Sequence, residues 1–242
     1  MLTKIIAHRG ASKRAPENTL PAFELAYDLG ADGIETDVQL TKDQIPVLIH
    51  DEGLKRTTNG YGFVKDYTLN ELKQLDAGSW FSPFYANTRL LSLKEFLIWA
   101  KDKPLYLNIE LKNNKIDYKN LEKIVYKLLK EFELLNRTTL STFNPKSIKR
   151  MSKLDKQIDA AFLTSKRRND LVEYAQSLGA KAIHIKYRLL SRKLVDHCRK
   201  EEMAIRVYTV NKTTQIKRCI NLNCNGIFTD VPGKAHQIKI QE

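Results

Sequence analysis

The stretch Leu105-Tyr106-Leu107-Asn108-Ile109-Glu110-Leu111-Lys112 alternates apolar and polar side chains without a break. Successive side chains of a strand point to opposite faces. Leu105, Leu107, Ile109 and Leu111 therefore share one face, and Tyr106, Asn108, Glu110 and Lys112 the other. Taken alone, the pattern fits an antiparallel strand with one wet face. It fits equally a barrel strand whose apolar face meets helices and whose polar row lines the interior. In a barrel, the last members of that row lie at the C-terminal mouth, where barrel enzymes place their chemistry.

The surrounding sequence decides between these. Strand-like runs recur at Lys4–His8, Gly33–Leu40, Leu105–Leu111, Thr138–Ser141, Ile158–Leu163, Ala182–Ile185, Ala204–Val210 and Gly226–Thr229, with Ile45–His50 as an extension after the second. Helical patterns lie between them. Leu121, Ile124, Val125, Leu128, Leu129 and Phe132 form one apolar stripe. Ser92 with Glu95 has the form of a capping box, Ser191 is placed to cap a helix, and Gly30 and Gly179 follow helical stretches where a left-handed residue is wanted. Regular strand–helix alternation predicts parallel strands joined by helical crossovers. Eight such units in 242 residues predict an α/β fold, a single-domain (β/α)8 TIM barrel spanning residues 1–242. Residues 51–91 are too long for an ordinary βα loop. They carry Gly53, Gly60, Gly62, Gly78 and Pro83 together with aromatic residues that include Tyr61, Phe63, Trp80, Phe81 and Tyr85, and are expected to be an insertion with a short helix near Thr68–Leu75.

Apolar residues make up 42% and charged residues 29%, which excludes a disordered or low-complexity chain. The 41 Lys and Arg against 28 Asp and Glu give a net charge of +13. Such a field attracts phosphate in any form. Cys198, Cys219 and Cys224 are odd in number and lack CxxC spacing, which argues against a disulfide framework or zinc site and for a reducing, cytoplasmic setting. No apolar run precedes His8 and Arg9 at the length of a signal-peptide core, and none suits a spanning helix.

Glu35 and Asp37 lie two apart in one strand, so their carboxylates share a face. Two inward carboxylates repel unless something positive sits between them. A hard divalent cation satisfies them, and all-oxygen ligands suit Mg²⁺ or Ca²⁺ over zinc. A solvated acidic strand, or an ionic network with Arg9 and Lys112, gives the same sequence pattern. His8 and His50 each follow an apolar run. Two histidines at two strand ends suit an acid–base pair near neutral pH. His197 and His236 read as surface residues, and His184 is open.

Together, His8-Arg9-Gly10, Pro16-Glu17-Asn18-Thr19, residues 30–38, His50-Asp51, Arg56-Thr57-Thr58, residues 108–112, Thr209-Val210-Asn211 and Thr229-Asp230-Val231-Pro232 closely resemble the glycerophosphodiester phosphodiesterase family over nearly the whole chain. The resemblance implies the barrel with an insertion after its second strand. It implies that His8 and His50 are general acid and base, that Glu35, Asp37 and Glu110 ligate one divalent cation, Mg²⁺ or Ca²⁺, and that Arg9 and Lys112 hold the phosphate. The insertion would bind the glycerol end of a glycerophosphodiester, released as glycerol 3-phosphate and an alcohol. Asn18 or Thr19 is expected to cap the following helix, with Glu17 the member of its motif open to a functional role. The sequence departs from the family pattern at Gln44, at Tyr208 (usually Trp) and at Leu90-Leu91-Ser92-Leu93, which bears on the alcohol pocket.

Two other readings remain at this stage. A phospholipase D-type enzyme acting on lysophospholipids or sphingomyelin would share fold and chemistry but need an apolar groove, for which the aromatics of residues 51–91 are available unless they form the insertion's own core. A non-catalytic module binding nucleic acid or anionic membrane would use the basic runs Lys146–Lys153 and Lys166-Arg167-Arg168. No nucleic-acid motif is present, so a small-molecule substrate, with no nucleic acid and no stable membrane insertion, is the expectation.

Overall fold

The computed structural model describes residues 3–242. Nine strands form, β1 (Lys4–His8), β2 (Gly33–Leu40), β3 (Pro46–Leu48), β4 (Tyr106–Leu111), β5 (Thr138–Thr142), β6 (Asp159–Thr164), β7 (Ala182–Lys186), β8 (Ala204–Tyr208) and β9 (Gly226–Thr229). Eight of them run parallel in the order β1-β9-β8-β7-β6-β5-β4-β2, and β1 also pairs with β2, so the sheet closes on itself. The expected (β/α)8 barrel is thus the observed one. β8 stops two residues short of its expected end, although the Val210 N–H still donates to the Phe228 carbonyl at 2.8 Å.

Helices α1 (Leu20–Asp28), α3 (Leu93–Ala100), α4 (Leu121–Glu131), α5 (Pro145–Leu154), α6 (Leu171–Leu178), α7 (Arg192–Lys200), α8 (Thr213–Asn221) and α9 (Pro232–Gln241) surround the barrel. The outward residues Leu107, Ile109 and Leu111 of β4 are buried in the core cluster that also holds Leu121, Val125 and Leu129 of α4. Several of the expected caps form. Ser92 and Glu95 make a reciprocal capping box on α3, the Ser191 hydroxyl accepts from Leu194 N–H, and Gly179 ends α6 at φ +88°.

The extension after β2 is not a barrel strand. β3 runs antiparallel to β2, with Val38 opposite Leu48. It leads into the insertion, whose helix α2 (Leu69–Leu72) is capped by Thr68 and Glu71. The insertion has a small aliphatic core of Val47, Ile49, Leu54, Val64, Leu72, Ala77 and Leu90, with Tyr67 packed against it. Tyr61, Phe63, Trp80 and Phe84 are exposed, Phe84 to 86%. The aromatics are therefore mostly not the insertion's own core.

The barrel interior is polar at depth. The Tyr106 hydroxyl donates to Thr139 Oγ1 at 2.6 Å, Thr139 bonds Asp159, and Arg206 lies 3.7 Å from Asp159 Oδ2 and 3.1 Å from His184 Nε2. His184 is fully buried, and desolvation followed by the Arg206 charge holds it well below the usual histidine range. It is a neutral interior residue that accepts from Arg206.

Gly10 follows β1 at φ +83°, and a Cβ there would lie 2.6 Å from the Ala22 backbone. Gly10→Ala should therefore lower unfolding free energy by about 2–4 kcal/mol, combining left-handed strain with overpacking. A Cβ on Gly53 would meet nothing nearer than 3.7 Å, so Gly53→Ala should change stability by less than about 0.5 kcal/mol. Denaturant unfolding of the two variants checks both expectations.

Candidate active site

Strand register assembles the site. His8 of β1 lies opposite Glu35 of β2, and Asp37 of β2 lies opposite Glu110 of β4. One oxygen from each of Glu35, Asp37 and Glu110 lies within 4.8 Å of the others. Ligand oxygens bound at 2.0–2.6 Å lie at most roughly 5 Å apart across an ion, so this hard, all-oxygen set fits a divalent cation. Asp37 Oδ1 is buried with no hydrogen-bond partner, as an oxygen kept for such an ion would be.

The charges around this cluster interlock. Arg9 Nε lies 3.0 Å from Asp37 Oδ2, and Lys112 Nζ lies 2.7 Å from Glu110 Oε1 and 3.7 Å from Asp37 Oδ1. The Arg9 backbone N–H donates to Glu35 Oε2 at 2.8 Å from a residue at φ +58°. Burial, and then the Asp37 charge, push the Glu35 carboxyl well above its usual range. Burial would raise Asp37 as well, but Arg9, Lys112 and the Asn18 amide hold it well below. The two histidines face the same cavity of about 340 Å³, which reaches Leu163, His184 and Lys186 across the mouth.

Each histidine is held by a carboxylate at Nδ1. His8 Nδ1 is 2.7 Å from Asp230 Oδ1, and Asp230 Oδ2 accepts from Asn211 Nδ2 at 2.6 Å. His50 Nδ1 is 2.5 Å from Asp51 Oδ1, and Asp51 Oδ2 accepts from Arg56 Nε at 2.5 Å. With a proton on Nδ1 shared in this way, Nε2 is the nitrogen left for chemistry. Arg56 also grips Glu17 with both terminal nitrogens, and Glu17 Oε1 accepts from Arg9 Nη1 at 3.0 Å.

All seven residues expected at the site from sequence are brought together. Four partners were not assigned their roles from sequence. Asp51 and Asp230 stood inside quoted motifs, but nothing in a motif says that a carboxylate folds back onto a histidine. Asn18 does not cap α1; its amide donates to Asp37 Oδ2 at 3.0 Å and its oxygen accepts from Thr36 Oγ1 at 2.8 Å. Thr19 occupies the cap position without a side-chain capping bond. Glu17 links the two arginines.

A family model described as the glycerophosphoryl diester phosphodiesterase family matches residues 8–234. The chain belongs to that family. It is 40% identical over 232 residues to a glycerophosphodiester phosphodiesterase of Caldanaerobacter subterraneus, covering 96% of each chain. It is 40% identical over 247 residues to one from Bacillus altitudinis, covering 100% of this chain and 99% of the other. A phosphodiesterase of Oleispira antarctica, solved with the product sn-glycerol-3-phosphate, superposes with a TM-score of 0.90 at 30% identity, covering 100% of this chain and 98% of that one. As an enzyme of this family, the chain is a glycerophosphodiester phosphodiesterase.

Asp230→Asn should keep the fold but leave His8 without its orienting carboxylate. Turnover should fall about 10²–10⁴-fold with little change in KM, as steady-state kinetics would report. Asp51 gives a stability signature. Desolvation would raise it, but hydrogen bonds from Arg56 and His50 lower it from 3.8 to about 2. The native state then binds fewer protons than the unfolded chain between those values, so stability present above pH 4 should fall as pH drops toward about 2. In thermal unfolding, Asp51→Asn should be less stable than wild type at neutral pH, and the two curves should converge in acid.

Proposed function

We propose that His8 and His50 catalyse hydrolysis of glycerophosphodiesters to glycerol 3-phosphate and an alcohol, with Glu35, Asp37 and Glu110 holding one Mg²⁺ or Ca²⁺. The observation that carries this reading is that two histidines, each fixed at Nδ1 by its own aspartate, flank a three-carboxylate cluster in one cavity. One Nε2 accepts a proton from the attacking oxygen, and the other donates one to the leaving alcohol. The attacking oxygen belongs to water or to the neighbouring glycerol hydroxyl, the latter giving a cyclic phosphate first. Arg9 and Lys112, at the border between the carboxylates and the cavity, hold the phosphate oxygens and disfavour their release until the products separate. A bound cation would supply Lewis-acid stabilisation of charge on the phosphoryl oxygens. Three carboxylates, two basic side chains and a divalent cation leave about one positive charge, which matches one phosphodiester.

The exposed Phe84 and Trp80 of the insertion favour one second reading, in which a lysophospholipid tail lies along that surface. Assays of glycerophosphocholine against lysophosphatidylcholine separate the two. Among the described residues no helix is long and apolar enough to cross a membrane. All three cysteines are buried free thiols, which supports the reducing, cytoplasmic setting expected from sequence.

His8→Ala and His50→Ala should each lower turnover about 10²–10⁴-fold while circular dichroism stays native. The double variant should lose far less than the product of the two, because both act on one transition state. Retention of near-wild-type turnover by either single variant removes that histidine from catalysis. Excess chelator should abolish hydrolysis, and Mg²⁺ or Ca²⁺ should restore it and raise the melting temperature. Glu110→Gln should weaken cation binding in calorimetric titration. Full activity of protein shown to be metal-free would exclude these three residues as ligands.

A further inference from the structure

Of the two basic runs in the sequence, Lys146–Lys153 forms part of α5, where Arg150 is tied to Asp117 and Glu122. The other run, Lys166-Arg167-Arg168, has a different setting. It lies in the loop after β6 and faces the segment that follows β7. Between them is a groove of about 330 Å³ lined by Lys166, Arg167, Arg168, Arg188, Lys193 and His197, and no carboxylate lines it. Two of these six groups have carboxylate partners outside the lining: Arg168 pairs with Asp170, and His197 Nε2 lies 3.2 Å from Glu173 Oε1. Among the described residues the side chains of Lys166, Arg167 and Lys193 have no ion-pair or hydrogen-bond partner.

Part of the groove is held in shape. The Arg168 guanidinium lies 3.8 Å from the centroid of the Tyr174 ring and donates to Asp170 Oδ2 at 2.9 Å. Arg188 Nη2 donates to the Ser165 carbonyl at 2.5 Å. The nine-residue helix α7 starts at Arg192 beside these cations and adds the positive end of its dipole. Like charges gathered in a concavity repel one another, and an anion relieves that repulsion.

The groove also adjoins the catalytic cavity. That cavity runs from His8, Glu35 and Glu110 across the mouth to Lys186 at the end of β7. Arg188, two residues further on, lines the groove, and two trans peptide links place these Cα atoms no more than about 7.6 Å apart. A phosphodiester has two arms. An arm leaving the reacting phosphorus toward β6 and β7 would meet Lys186 first and the groove beyond it.

We propose that this groove is a subsite for a second phosphate, so that the favoured substrates are glycerophosphodiesters whose alcohol arm itself bears a phosphate monoester. The proposal rests on the catalytic reading above and deepens it. The reaction is hydrolysis throughout. An oxygen adds to the diester phosphorus, the bond from phosphorus to the alcohol arm breaks, and that oxygen takes a proton, releasing glycerol 3-phosphate and the phosphorylated alcohol. Arginine forks and lysine ammonium groups suit a dianionic phosphate. A cationic arm such as choline is disfavoured by the net positive charge there. The concavity is of a size for one small anionic group.

The test compares glycerophosphocholine with glycerophosphoglycerol bearing a terminal phosphate, in the wild type and in the triple variant Lys166→Ala, Arg167→Ala, Lys193→Ala. None of the three residues lines the catalytic cavity. The wild type should show kcat/KM about tenfold or more higher for the two-phosphate diester, an advantage that shrinks as salt rises. The triple variant should lose that advantage through KM while keeping its activity on glycerophosphocholine. Equal wild-type activity on the two diesters, or equal effects of the triple variant on both, overturns the subsite and leaves the catalytic reading standing. Loss of binding to phosphatidylglycerol vesicles in the triple variant, with no discrimination between diesters, overturns it in favour of a membrane contact. If the wild type cleaves neither diester, the catalytic reading fails. Calorimetric titration with the two diesters then decides the groove separately, and equal affinities overturn it.

Discussion

Mutual repulsion among Glu35, Asp37 and Glu110 sets what the rest of the mouth must contain. Three carboxylates within 4.8 Å, one of them with no exposed surface, are tolerated only where positive charge and N–H donors surround them. Arg9 and Lys112 supply the charge, and Asn18 and the Arg9 backbone supply donors. Arg9 in turn needs Glu17, Glu17 holds Arg56, and Arg56 fixes the aspartate that orients His50. One electrostatic demand on β2 thus reaches a catalytic candidate on the far side of β3. A change at Glu17 touches neither histidine, yet it disturbs both arginines at once.

The barrel also has to fill its interior below this cluster. Tyr106, Thr139, Asp159, His184 and Arg206 do so with hydrogen bonds and ring contacts, beside buried apolar residues such as Ile6 and Phe228. The consequence is a polar floor of defined hydrogen bonds beneath a polar mouth. Most of the apolar packing lies outside the strands, between them and the helices. The two-residue alternation in β4 is therefore the visible trace of a barrel with its wet and dry sides reversed from those of an isolated sheet.

That alternation is why the fold was legible in the sequence. Period-two patterning fixes which face a side chain takes, and the helical stripes fix where the crossovers lie, so the inward placement of Glu35, Asp37, Glu110 and Lys112 followed. Pairing partners across loops carry no such period. β3 reads as one more apolar run, and its antiparallel direction depends on the tight turn at residues 41–45, where Gln44 adopts φ +61°. The aromatics of the insertion read as a core, but its short chain closes around aliphatic side chains and leaves the rings outside. Asn18 reads as a helix cap because it precedes α1; a left-handed backbone at φ +58° goes with its side chain meeting Asp37 instead. Asp230 sits in a recognisable motif, but its contact with His8 depends on the barrel's closure and not on local sequence.

Closure has a bearing on how the protein is made. β1 is gripped on one side by β2 and on the other by β9, and His8 meets Asp230 across a separation of 222 residues. A ribosome that has delivered seven of the parallel strands has produced a chain with all three residues of its carboxylate cluster and with His50 already next to Asp51 in sequence. His8 at that moment still has an open sheet edge and no aspartate. The long loop between the two ends must close before its contacts can repay the lost entropy. The nascent chain therefore gains the His8–Asp230 contact only once the last strand is made, and an unfinished chain lacks one of the two histidine–aspartate pairs of the mouth.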